Sequence, residues 1–167
     1  MKFAYADPPY HGSAKRIYGE LHDKAADYDT HEAHFALFDR LNIDYPDGWA
    51  YSCNPKDLVW VLPYLGNEAR VCAWAKTFHQ IRPLCSVQYA WEPLIIKGGR
   101  QVKGRKPMLR DWLACARAMR KGLAGAKPDA FNDWVLDLLG FDVEQDTLDD
   151  IFPGSGGMTQ AIDRRKK

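Results

Sequence analysis

The 167-residue sequence lacks any apolar run approaching the roughly 18 residues a bilayer-spanning helix needs, so no transmembrane segment is expected. Residues 1–10 contain no apolar stretch of the kind found in secretory leaders, and a soluble, cytoplasmic protein is expected. Cysteine is scarce. The four thiols, Cys53, Cys72, Cys85 and Cys115, form no CxxC pair, and no zinc-ligand spacing links them to the five histidines. A zinc module and a disulfide scaffold are thereby excluded, leaving reduced, partly buried thiols. His31 and His34 stand three apart on an expected helix, and they read as solvated face residues rather than a metal pair. Neither sign of charge dominates, with 23 Lys and Arg against 22 Asp and Glu, which excludes a generic polybasic nucleic-acid coat. No internal repeat or low-complexity segment is visible.

What the chain does contain is apolar and aromatic surface. It is 46% hydrophobic, with six Trp, eight Tyr and seven Phe, enough to offset the entropy of ordering and to build one domain's core. Strands are expected near residues 2–6, 48–53, 70–75, 87–96 and 147–152. Helices are expected over about 30–41, with Thr30 as N-cap, from Asn54-Pro55 to a stop or kink near Pro63, and over about 128–139 before Gly140. Alternating strands and helices imply an α/β sheet with parallel crossovers. The tail Asp163-Arg164-Arg165-Lys166-Lys167 is expected to fray.

Charge is distributed unevenly along the chain. Residues 97–121 hold nine Lys or Arg against the single acid Asp111, whereas residues 20–47 hold eight acids against Lys24 and Arg40. Lys97, Arg100, Lys103, Arg105, Lys106 and Arg110 are candidate phosphate contacts. Those around the glycines are expected in a mobile loop that orders on nucleic acid, and Trp112 is expected in the core. The acidic stretch is expected to face away from phosphate.

Two segments carry recognisable chemistry. Asp150-Ile151-Phe152-Pro153-Gly154-Ser155-Gly156-Gly157 ends a strand in glycines, which let backbone approach a ligand while a following helix aims its N–H groups at it. The spacing matches neither GxGxxG nor a GK[ST] phosphate loop, favouring a nucleotide-like ligand without a tightly held triphosphate. Asp7-Pro8-Pro9-Tyr10 holds a carboxylate, a free proline carbonyl and a flat ring in a stiff relation at a strand end. Two acceptors beside a stacking face suit an exocyclic amino group on a base.

Together these two segments resemble the amino-methyltransferases of DNA, which methylate adenine N6 or cytosine N4 from S-adenosylmethionine. Their order, catalytic motif first and cofactor loop last, resembles the circularly permuted class. Ala126-Lys127-Pro128, with Phe131 and Trp134, is similar to the family's Lys-Pro segment. Residues 73–76 and 89–94 resemble its middle strands, where Trp74, Lys76, Glu92 and Pro93 read as plain strand or buttress residues. The resemblance implies a reduced, permuted, three-layer Rossmann-like methyltransferase fold over residues 1–167, with a basic insert around 97–121. It assigns Asp7, Pro8, Pro9 and Tyr10 to the target base. Lys127, Pro128, Asp150, Phe152, Pro153, Gly154, Ser155 and Gly156 go to S-adenosylmethionine, with no metal. DNA is the implied partner, no membrane is involved, and a homodimer is allowed.

Adenine is preferred because Asp before Pro-Pro-Tyr is commoner for adenine in the family. Cytosine N4, RNA or a protein amide are the alternative substrates, and a non-catalytic nucleic-acid binder is the alternative of another class. The family normally continues past the cofactor loop with two more strands, the first ending in an acid for the ribose hydroxyls. Only eleven residues follow Gly156. A mobile-element or phage setting, with host cytoplasm as the location, fits this brevity.

Overall fold

A computed structural model describes residues 1–15, 19, 25–78, 81, 83–101, 104, 108–118 and 125–167. Its sheet runs in the order β5-β3-β4-β2-β1-β6, with β1 Lys2–Ala6, β2 Gly48–Ser52, β3 Ala69–Lys76, β4 Trp91–Gly98, β5 Trp112–Cys115 and β6 Thr147–Asp150. Four α-helices are present among the described residues: α1 His31–Asp44, α2 Leu58–Leu65, α3 Asp129–Leu139 and α4 Gly157–Arg165.

Strand alternation sorts side chains to two faces. Phe3 and Tyr5 of β1, Ala50 of β2 and Trp74 of β3 point to one side, where they bury Phe131, Val135 and Leu139 of α3 with Met158 and Ala161 of α4. Ala4 and Ala6, with Trp49, Tyr51 and Ile95, point to the other, against Leu37, Phe38 and Leu41 of α1 and Val61 and Leu65 of α2. The result is a three-layer α/β architecture. Thr30 caps α1 by accepting the Ala33 N–H at 3.4 Å, and Gly140 closes α3 in the left-handed conformation at φ 65°.

The sheet is mixed rather than wholly parallel. β4 inserts antiparallel between β2 and β3, while the other strands share one direction. Pro93 is tolerated inside β4 because its neighbours pair around it. Cys53, just past β2, donates its N–H to the Pro93 carbonyl at 3.4 Å, and Ala73 opposite donates instead to Asp111 at 2.9 Å. β4 starts at Trp91, not residue 87. β6 ends at Asp150, although Ile151 N–H still reaches the Tyr5 carbonyl at 2.9 Å. As expected, α2 ends close to Pro63: it closes at Leu65, which is buried in the core.

His34 is not solvated: it is 2% exposed, between the Tyr28 carbonyl at 3.0 Å and the Tyr51 hydroxyl at 2.8 Å. Burial lowers its pKa to about 4, so it is neutral. Trp112 is not core. It begins edge strand β5 at 47% exposure, with the Arg110 guanidinium 5.4 Å over its ring.

Candidate active site

Parallel pairing of β1 with β6 sets Tyr5 opposite Asp150, so Asp7 and Ile151 leave adjacent strands at one edge of the sheet. The two sequence motifs therefore lie side by side. Lys76 at the end of β3 and Glu92 at the start of antiparallel β4 reach the same edge. Lys127, just before α3, comes in over it.

Lys127 is the hub. Its Nζ lies 3.1 Å from Asp7 Oδ1 and 3.1 Å from Glu92 Oε2, and it donates to the Tyr10 hydroxyl at 2.9 Å. Tyr10 in turn donates to Glu92 Oε2 at 3.0 Å, and Lys76 pairs with Glu92 Oε1. Rings of Tyr10, Phe131 and Trp74 stand 5.3, 5.7 and 5.9 Å from the ammonium, a partial aromatic cage. The Lys127 side chain keeps only 9% exposure, so its charge depends on these partners.

The carboxylates respond in opposite directions. Burial raises the Asp7 pKa and the nearby Glu92 charge adds to the rise, against the pull of Lys127. For Glu92 burial also opposes ionisation, but Lys127 and Lys76 outweigh it and bring the group to about 2. Burial pushes the Tyr10 and Tyr5 hydroxyls well above their ordinary value. Asp7 is thus a carboxylate of raised basicity beside fixed charges, able to accept a hydrogen bond or a proton.

Across the edge, Gly154 at φ 46° and Gly156 at φ 71° shape the turn between β6 and α4. Gly156 donates to the Pro153 carbonyl at 2.7 Å, and no side chain caps α4. Phe152 packs edge-on to Tyr28 with 5.2 Å between centroids. Burial raises the Asp150 carboxyl to about 6, with Asp7 adding to the rise against the Phe152 backbone N–H, and its Oδ1 is buried without a partner.

No protein-family model and no curated protein matches the sequence. Among solved structures, the chain resembles the M1.HpyAVI–SAM complex at a TM-score of 0.65 and 17% identity, over 100% of this chain and 80% of that one. The fold is Rossmann-like and shared with that complex. Within that fold the assigned residues fall into two groups. Asp7, Pro8, Pro9 and Tyr10 lie at the β1 end, and Asp150, Phe152, Pro153, Gly154, Ser155 and Gly156 at the β6 end. Lys127, expected with the second group, touches Asp7 and Tyr10 of the first.

The basic candidates separate. Lys97 pairs with Glu68 at 2.7 Å, and Arg100 pairs with Asp146 while its backbone N–H donates to Leu139, so Arg100 is anchored rather than on a mobile loop. Arg110 stands by Trp112. Lys103, Arg105 and Lys106 lie outside the described residues. Sequence reading missed Lys76 and Glu92 as site residues. Their signal was two charged groups at apolar strand ends, which becomes legible once β4 is known to run antiparallel. Among the described residues no group of three His, Cys, Asp or Glu is placed to hold a metal, and no helix is long and apolar enough to cross a membrane.

Proposed function

We propose that this protein is an S-adenosylmethionine-dependent DNA methyltransferase acting on an exocyclic amine, adenine N6 in preference to cytosine N4. It would belong to the circularly permuted, Asp-Pro-Pro-Tyr class, with residues 1–167 acting as one unit; Lys97 and Arg100, paired with Glu68 and Asp146 at the strand ends away from Asp7, are left out of its DNA contacts. The observation that carries this reading is the adjacency of the β1 and β6 carboxyl ends, which sets a stiff acceptor pair beside a glycine turn.

The β6 side fits the cofactor's chemistry. Asp150 Oδ1 is an orphaned buried acceptor suited to an ammonium, and the uncapped start of α4 offers N–H donors to a carboxylate. S-adenosylmethionine bound there would supply an electrophilic sulfonium methyl. The target base must leave its stack to enter, at roughly a few kcal/mol. Tyr10 gives it a face, and Asp7 with the Pro8 carbonyl accepts its amino hydrogens, turning the lone pair outward. The raised basicity of Asp7 suits it to hold the proton that the methylated amine releases. Lys127 and Glu92 fix Tyr10 and Asp7 in charge and position, so the rate gain comes from orientation and preset electrostatics.

Calorimetry with S-adenosylmethionine and nucleoside analysis of DNA from expressing cells test the reading. Cofactor binding with N6-methyladenine in the digest is expected. N4-methylcytosine would transfer the specificity. Absence of cofactor binding at millimolar concentration would leave a nucleic-acid-binding scaffold instead.

A further inference from the structure

Among the described residues, three buried side-chain atoms lack a hydrogen-bond partner: Arg100 Nε, Asp150 Oδ1 and Asn132 Nδ2. Such orphans are uncommon and call for a reason. Asn132 sits in α3 at 2% exposure, within a run whose buried members Phe131, Trp134, Val135, Leu136 and Leu139 are apolar. A leucine there would fill similar space and strand no polar atom. Packing therefore gives no reason for the amide.

Its surroundings do. A Cβ built on Gly157 would lie 2.7 Å from Asn132 Nδ2 and 3.7 Å from Ser155 Oγ. Gly157 opens α4 and is not among the residues with positive φ, so backbone conformation does not require glycine; a Cβ there would meet the end of the Asn132 side chain and push the amide aside. Two locally unfavourable choices, a polar residue on an apolar helix face and a glycine in a helix's first turn, are thus coupled. Together they place a free N–H donor beside the uncapped start of a nine-residue helix, at the turn that also carries the orphaned Asp150 acceptor. Donors next to one unpaired carboxylate oxygen complement a zwitterion bearing a carboxylate and an ammonium on neighbouring atoms.

We propose that Asn132, through Nδ2 and together with the first N–H groups of α4, binds the carboxylate of the cofactor's amino-acid end and so selects ligands that carry it. This rests on the cofactor reading above. It assigns to α3 a specificity residue outside both the Lys127-Pro128 segment and the glycine turn.

The test compares S-adenosylmethionine with decarboxylated S-adenosylmethionine, which keeps the sulfonium and the amine but lacks the carboxylate, by calorimetry on the wild type, Asn132→Leu and Gly157→Ala. The wild type should prefer the carboxylated ligand by about tenfold or more, as for a site built around a hydrogen bond. Asn132→Leu should remove most of that preference, leave the decarboxylated ligand within about twofold, and unfold no earlier than wild type without ligand, since it loses an orphan. Gly157→Ala should reduce the same preference by displacing the amide. Equal losses for both ligands would mean a structural role and overturn the assignment, as would an unchanged preference in Asn132→Leu. A wild type that binds neither ligand would refute the cofactor reading itself, a different result from a wild type that binds both equally.

Discussion

Replacing Lys127 by methionine keeps the length of the side chain and removes the charge that three site groups share. In the native protein the ammonium lies 3.1 Å from each of two carboxylates and 2.9 Å from the Tyr10 hydroxyl, at 9% side-chain exposure. Removing one partner of such a buried set costs about 3–5 kcal/mol, because the remaining charges are left uncompensated. A second route gives a similar figure. Glu92 is held at about 2 against an ordinary 4.5, which corresponds to about 3 kcal/mol, with Lys127 the largest favourable influence and Lys76 the next. Because that pKa is depressed on folding, its contribution is full above pH 4.5 and fades as pH falls through about 2. Lys127→Met should therefore lose about 3 kcal/mol of stability at pH 7 and markedly less near pH 3. Asp7, already raised by burial, should rise further in the variant and titrate closer to neutrality. Urea unfolding of wild type and variant at several pH values measures the difference. A loss below about 1 kcal/mol at pH 7, or one independent of pH, would refute the reasoning, since that is the range of exposed pairs.

Two further predictions concern titration. Asp150 lies near 6, and only its ionised form attracts an ammonium, so S-adenosylmethionine affinity should climb by up to about tenfold per pH unit below pH 6 and then level off. Asp150→Asn should bind more weakly and without that slope; calorimetry across pH 5–7.5, below the titration of the ligand's own amine at about 8, checks both. His34 should show an NMR titration midpoint near 4, and its contribution to stability, full above pH 6.5, should fade as pH falls toward that midpoint. A midpoint near 6.5 would mean the ring is solvated after all.

The strand at residues 2–6, the Thr30 cap and the Gly140 stop were all legible from local chemistry, because each depends on neighbours in sequence. The antiparallel direction of β4 was not, since strand direction is decided by pairing partners far along the chain. That one reversal hid Lys76 and Glu92, which meet at the site only because β3 ends where β4 begins. His34 misled for a related reason. Its polarity suggests a solvated face, but the partners that make burial tolerable are the Tyr28 carbonyl and the Tyr51 hydroxyl, the latter on β2. Trp112 has the opposite character, an aromatic left at 47% exposure on an edge strand. Asp7 and the glycine turn were readable as chemistry, but their adjacency needed the pairing of the first strand with the last.

Methyl transfer from labelled S-adenosylmethionine to an adenine-containing oligonucleotide, measured for wild type and Asp7→Ala with cofactor affinity followed in parallel, tests the shared site most directly. Label should enter DNA with the wild type and not with the variant, while the variant still binds cofactor within a few-fold of wild type. Continued methylation by Asp7→Ala, or loss of both properties in a variant that remains folded, would contradict the division of work between the two strand ends.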